Sequence, residues 1–181
     1  MSNAAWPDTI FEQLLAHHVQ QVAYVPDAGH SQLIERCRAH ADMITVPLTT
    51  EEEGVALLGG AWLGGQRGVL LMQSSGVGNC INMLSLTRVC RFPLLMLVTM
   101  RGQWGEFNPW QIPMGQRSEA VLQLANVLTY PVEHSADMAA TVDAAARIVF
   151  NGPSAAAVLI SQRLIGEQVR HVARHRRLGR A

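Results

Sequence analysis

The chain has 181 residues, 49% hydrophobic and 15% charged, and its 14 basic and 14 acidic side chains cancel to a formal net charge of zero. That is enough apolar material for one domain of ordinary size, and the balanced charge supplies no field to draw nucleic acid or an anionic membrane surface. All 14 basic side chains are arginine, so this chain offers neither a Schiff-base lysine nor the lysine of a phosphate-cradling P-loop.

A first turn at Trp6-Pro7-Asp8, with Ile10, Phe11, Leu14 and Leu15 recurring on one face, predicts a helix to about His18. Val22 to Val25 reads as a buried strand, broken by Pro26-Asp27-Ala28-Gly29, and Leu33, Ile34 and Cys37 mark a second helix. Strand Ile44 to Leu48, helix Glu51 to Leu63, strand Gly68 to Met72 and helix Asn79 to Val89 continue the alternation. Pro93 to Thr99 is a continuous apolar run, as expected of a strand covered on both faces. A loop rich in Gly, Pro and Trp then runs from Arg101 to Gln116, long enough to expect function in it. A helix near Ser118 to Ala125, a strand Val127 to Val132, a helix Ala136 to Phe150 and a strand Ala155 to Ser161 complete the pattern.

Strict alternation predicts an α/β fold of three layers, a mainly parallel six-stranded sheet with helices on both faces. Residues 1–168 make up the expected domain; 169–181, with Arg170, Arg174, Arg176, Arg177 and Arg180, form a basic tail, either solvated or a docking arm for an acidic partner. Cys37, Cys80 and Cys90 sit in apolar surroundings at spacings of neither a disulfide framework nor a zinc set. No run reaches the ~18 apolar residues of a membrane span, and the N-terminus lacks a signal-peptide pattern. The expected compartment is the cytoplasm.

In an open parallel sheet ligands bind beyond the C-terminal ends of the strands. The polar and glycine-rich segments fall there: Val25 to His30, Thr49 to Glu51, Gln73 to Asn79, and Arg101 to Gln116. Ser75-Gly76-Val77-Gly78-Asn79 reads either as a loop offering backbone N–H groups to an anion or as a tight structural turn. A dinucleotide fingerprint fails at Ile81, and a nucleophile elbow fails for want of flanking glycines at Ser74 and Ser75. Glu51-Glu52-Glu53 opens a helix whose remainder, Val55 to Leu63, is apolar or glycine nearly all round. Carboxylates suit a helix N-terminus, with Thr49 or Thr50 as cap, but three consecutive like charges repel. An acid leading into a buried helix beside the ligand edge is therefore a candidate for a functional, desolvated carboxylate.

These segments, taken together, resemble a known family. Glu51, followed nine residues later by Gly60, resembles the glutamate-bearing helix of thiamine diphosphate enzymes. Met72-Gln73-Ser74-Ser75-Gly76-Val77-Gly78-Asn79 resembles the MQNSGLGN segment of the phosphonopyruvate and sulfopyruvate decarboxylases. Val25-Pro26-Asp27 is similar to their VPDS turn, and Thr99-Met100-Arg101-Gly102 to the Arg-Gly that ends their fourth strand. The likeness runs in order over about residues 8–165.

The resemblance implies the thiamine diphosphate-binding fold in its pyrimidine-binding form. It implies a glutamate bonded to N1′ of the aminopyrimidine, where a held proton favours the imino tautomer that can take the thiazolium C2 proton. Counting back from Gly60 selects Glu51; counting to Gly54 selects Glu52. Pro26, Gln73, Ser75, Gly76 and Asn79 are then the cofactor-binding set, and Asp27, His30, Arg101 and Gln111 the substrate set. Gly-Asp-Gly, which with a later Asn holds Mg²⁺ in this family, is absent from the chain. The resemblance thus implies a diphosphate-binding β subunit that supplies the Mg²⁺ contacts, a hetero-oligomer of α and β chains, and a small anionic 2-oxo acid as substrate.

Two departures bear on substrate. The family's serine after Val-Pro-Asp is Ala28, with His30 nearby either to compensate or simply solvated. Arg101 either pairs with a substrate anion or forms a structural ion pair with Glu106. Trp104 and Trp110 either line a pocket or pack on the partner. Two rival functions stand beside this one: a non-catalytic ligand-binding or assembly module with the same fold, and a Rossmann-like nucleotide binder resting on the glycine segment alone.

Overall fold

The computed structural model describes residues 6–166, and the expected basic tail and the domain boundary at residue 168 lie outside the described residues. The elements alternate as β1 (Val19–Tyr24), β2 (Ile44–Pro47), β3 (Arg67–Gln73), β4 (Leu94–Thr99), β5 (Leu128–Val132) and β6 (Ala155–Ile160), separated by helices. These are α1 (Trp6–Ala16), α2 (Ser31–Ala39), α3 (Glu51–Leu63), α4 (Ser74–Cys80), α5 (Ser85–Val89), α6 (Ile112–Leu124) and α7 (Met138–Asn151). The strands form one sheet in the order β2-β1-β3-β4-β6-β5, and all five pairings are parallel. Among the described residues no helix is long and apolar enough to cross a membrane.

Two cores flank the sheet, and strand periodicity assigns residues to them. Leu71, Leu95, Leu97 and Val158 face α1, α2 and α7, packing with Ile10, Leu14, Leu33 and Val142. Their neighbours Leu70, Met72, Met96 and Ala157 face the other way, onto Val55 and Leu58 of α3, Val77 of α4 and Leu122 of α6. Because successive strand side chains point to opposite faces, a strand buried on both must be apolar at every position. In β4 and β6 every residue is buried.

The structure corrects several expected boundaries. The helix expected from Asn79 begins at Ser74, directly on the end of β3, and α4 and α5 are separate helices joined by a tight turn in which Leu86 N–H bonds the Met83 carbonyl at 3.0 Å. Gly76 and Gly78 weigh against a helix by intrinsic propensity, yet tertiary packing places them inside one. This removes the support for a phosphate loop and with it the nucleotide-binder reading. Likewise α6 starts at Ile112 rather than Ser118, with a proline tolerated in its first turn and a 3₁₀ turn at Pro109–Gln111 before it. The long loop is therefore only residues 100–108. Helix α3 is not buried all round: Trp62 and Leu63 are 36% and 87% exposed. Cys90 is exposed, whereas Cys37 and Cys80 are buried and burial pushes both thiols up to about 12.

Candidate functional site

After β1 the chain passes to β2 on one side, and β3 lies on the other, so the strand order reverses between β1 and β3. Crevices form at such a switch point. Here Asp27, after β1, meets the ends of β3 and β4: Gln73 Nε2 donates to its Oδ1 at 3.1 Å and Thr99 Oγ1 to its Oδ2 at 2.6 Å. Ser75 Oγ donates to Gln73 Oε1 at 3.0 Å, fixing the amide. A Cβ on Gly29 would stand 2.8 Å from the Thr99 side chain and 2.9 Å from Asp27, so only glycine lets this turn lie so close.

His30 is fully buried rather than solvated. Its Nε2 bonds the Leu97 carbonyl at 3.0 Å, and since a carbonyl only accepts, Nε2 carries the hydrogen. Burial lowers its pKa, outweighing the opposing influence of Asp27, and Nδ1 is buried without a partner. Gln111 is also buried, with its Oε1 unpartnered. Neither residue lines the large cavity described below.

The acidic triplet at the start of α3 divides its labour. Glu51 is 8% exposed and turns toward α4, where Asn79 Nδ2 donates to its Oε2 at 2.7 Å. A Cβ on Gly76 would overlap the Glu51 carboxyl group, so a glycine at 76 is the condition for this placement. Glu53 reaches back to the Thr49 N–H at 2.9 Å, a capping contact. The Thr50 hydroxyl holds the Glu52 carboxyl below the usual carboxylate range. Of the two acids that spacing left open, Glu51 is the one that faces α4.

The centre of the loop at 100–108 is Glu106, which sequence reasoning named only as an ion-pair partner for Arg101. Its side chain is 2% exposed and pairs with Arg101, whose Nε and Nη2 donate at 2.8 and 2.6 Å. It also accepts from the N–H of Gly102 at 3.1 Å, of Asn108 at 3.0 Å, and from Gln162 Nε2 at 2.9 Å. Burial pushes this carboxyl up, but the bonds from Arg101, Asn108 and Gly102 outweigh it and bring it down to about 2. Of the two partners open to Arg101, the structure provides Glu106. Gln162 ties the loop to the chain after β6 by accepting from the N–H groups of Gln103 and Trp104, both at 2.9 Å.

Ser74 and Ser118, both fully buried, were missed. Ser74 Oγ accepts from Arg101 N–H at 3.0 Å, and its carbonyl lies 3.1 Å from Ser118 Oγ. Gly115 permits the Arg101 carbonyl to lie against α6, since a Cβ there would collide with it. The loop after β4, the start of α4 and α6 are thereby locked into one unit.

Between the turn after β1, the loop after β4 and the chain after β6 lies a cavity of about 570 Å³ lined by Asp27, Thr99, Arg101, Trp104, Phe107 and Arg163, among others. Trp104 is 61% exposed and Trp110 67%; Trp104 lines the cavity and Trp110 does not. Among the described residues no group of three or more His, Cys, Asp or Glu side chains is arranged to hold a metal ion.

Comparisons with known proteins bear on the family. The chain is 36% identical over 121 residues to sulfopyruvate decarboxylase subunit alpha of Methanococcus maripaludis, covering 66% of this chain and 72% of the relative. It is 34% identical over 122 residues to the subunit of the same name from Methanocaldococcus jannaschii, covering 67% and 72%. Phosphonopyruvate decarboxylase of Streptomyces viridochromogenes is 34% identical over 131 residues, which are 71% of this chain but 33% of that one. Among solved structures, a 2-oxoglutarate:ferredoxin oxidoreductase from Magnetococcus marinus superposes with a TM-score of 0.71 at 13% identity, over 89% of this chain and 29% of its own, a likeness of fold. Residues 6–109 match the family described as "Thiamine pyrophosphate enzyme, N-terminal TPP binding domain", and the chain belongs to that family.

Proposed function

We propose that this chain is the pyrimidine-binding (α) subunit of a two-subunit thiamine diphosphate-dependent decarboxylase for an anionic 2-oxo acid such as sulfopyruvate or phosphonopyruvate. The observation that carries the reading is Glu51: nearly buried at the strand-end edge, anchored through one oxygen by Asn79, and with Oε1 making no hydrogen bond among the described residues. An ionised carboxylate has roughly four acceptor sites, and among the described residues only Asn79 fills one, which leaves the others open to a ligand. The residues fit the cofactor, because the missing Cβ of Gly76 leaves room for the carboxylate and an acceptor atom stays open.

In this reading Glu51 holds a proton at N1′ of the aminopyrimidine, Asn79 fixes the carboxylate's orientation, and Pro26, Gln73, Ser75 and Gly76 complete the cofactor-facing edge. Bound thiamine diphosphate supplies the electron sink as carbon dioxide leaves. Asp27 faces the substrate cavity; Thr99 and Gln73 hold its carboxylate in one orientation. Arg101 shapes the cavity wall, while His30 and Gln111 support it from within the core. The diphosphate and its Mg²⁺ fall to a β subunit, since the chain contains no Gly-Asp-Gly, and the names of the α-subunit relatives support a divided enzyme. The exposed Trp62 and Leu63 suit burial against such a partner.

The test is Glu51→Gln in the chain reconstituted with its β subunit. Carbon dioxide release from sulfopyruvate should fall by about 10²- to 10⁴-fold, the usual scale for loss of a proton-transfer group, with assembly intact. Undiminished turnover would refute the catalytic role and leave a non-catalytic binding module.

A further inference from the structure

The cavity of about 570 Å³ contains two arginines in different states. Arg101 is neutralised, its Nε and Nη2 both occupied by Glu106. Arg163, just after β6, has no ion-pair partner among the described residues. Its guanidinium carbon instead stands 3.9 Å above the Trp104 ring centroid. Stacking uses the flat face of a guanidinium and leaves its edge, with the paired N–H donors, free for a planar or tetrahedral anion.

The stack is held from beneath. The Trp104 backbone N–H donates to Gln162 Oε1 at 2.9 Å, and Gln162 Nε2 donates to Glu106 at 2.9 Å. The platform under Arg163 is thus tied to the loop's buried carboxylate, which reduces the rotamer freedom the arginine would lose on binding. The cavity's one carboxylate among its lining residues, Asp27, belongs to the Thr99 and Gln73 cluster. Asp27 repels an anionic group in this cavity, and with Arg101 neutralised only Arg163 attracts it.

We infer that Arg163, presented on Trp104, is the specificity-determining residue that takes the substrate's distal sulfonate, phosphonate or carboxylate. The inference rests on the decarboxylase reading for the identity of the substrate, but it concerns this chain's own cavity. Arg101 contributes shape to the site, and Arg163 contributes the charge.

The test uses the full ¹⁵N-labelled chain titrated with 3-sulfopropionate, with propionate as the probe that lacks the distal anion. The readout is the Trp104 indole N–H signal, identified by its absence in Trp104→Phe. That signal should shift saturably with 3-sulfopropionate and not with propionate at equal concentration. Arg163→Gln should weaken binding about tenfold or more, the scale of a lost charge-assisted hydrogen bond, and Arg163→Lys, which keeps charge without the fork, should fall between. Unchanged signals from Trp6, Trp62 and Trp110 establish that each variant is folded. No saturable shift in the unaltered chain, or equal affinity in Arg163→Gln, overturns the inference. The titration needs neither turnover nor a β subunit, so it fails or holds independently of the Glu51→Gln experiment.

Discussion

Two buried carboxylates, Glu51 and Glu106, lie in segments that follow strand ends and are used in opposite ways. Glu106 accepts from Arg101, Gly102, Asn108 and Gln162 and is saturated. Glu51 accepts from Asn79 alone among the described residues. The first arrangement resembles an ordinary structural hub, in which every lone pair is used to fix a loop. The second is an incomplete site. Burial alone therefore does not mark a functional acid; unused acceptor capacity matters as well, and Glu52, whose Oε2 is buried without a partner, shares it.

The sharpest way to break this contrast is Gly76→Ala. The new methyl group would occupy the space of the Glu51 carboxyl, and because misplacement by about 1 Å costs about 100-fold in rate, turnover of the reconstituted enzyme should fall by that order. Circular dichroism of the isolated chain should stay near that of the unaltered chain. Activity within a few-fold of normal would show that Glu51 tolerates displacement and has no precise task.

Glu106→Ala tests the other half. It strips Arg101 of its partner and should cost about 3 kcal/mol in stability, the lower end for breaking a buried pair, because Arg101 is 18% exposed. Urea unfolding measures this, and amide exchange should accelerate in residues 100–108 before other regions. A loss under about 1 kcal/mol would demote Glu106 to a surface pair.

Acid tests Glu106 as well. Against the upward push of burial, its carboxyl is brought down in the fold to about 2 from its ordinary 4.5, chiefly by the bonds it accepts from Arg101 and the Asn108 and Gly102 N–H groups. A depressed carboxyl stabilises the fold fully above its unfolded pKa and loses that contribution as pH falls through the folded one. Loop protection from amide exchange should therefore hold above about 4.5 and decay from there toward 2, and the Glu106→Gln variant should lack that dependence. The smallest effect is expected at Glu52, whose hydrogen-bond partner is its neighbour Thr50. Glu52→Gln should leave stability within about 0.5 kcal/mol and turnover within about twofold; a loss comparable to that of Glu51→Gln would reverse the choice between the two.

Much of the fold was legible because β4 and β6 are buried on both faces, and their runs Leu94 to Val98 and Ala155 to Ile160 are apolar throughout. The starts of α4 and α6 were not legible. Gly76, Gly78, Pro109 and Pro113 count locally as breakers, whereas packing against Glu51 and against the Arg101 carbonyl overrides them. Within the site, the acidic triplet and the strand-end loops announced themselves by their rarity in an apolar chain. Glu106 was legible only as an ion-pair partner for Arg101, since its wider weight comes from partners such as Gln162, which lies 56 positions away.

The sequence by itself determined the layered α/β fold, the strand-end edge where a ligand is expected and the candidate acids at the start of α3. Those follow from periodicity and composition, which are local properties of the chain. Only the tertiary structure decided that Glu51 faces α4, that Arg101 is consumed by Glu106 and that Arg163 is left over on Trp104. Each of these depends on which distant groups meet across the sheet edge, and hydrogen-bond saturation is a property of the meeting rather than of any residue alone.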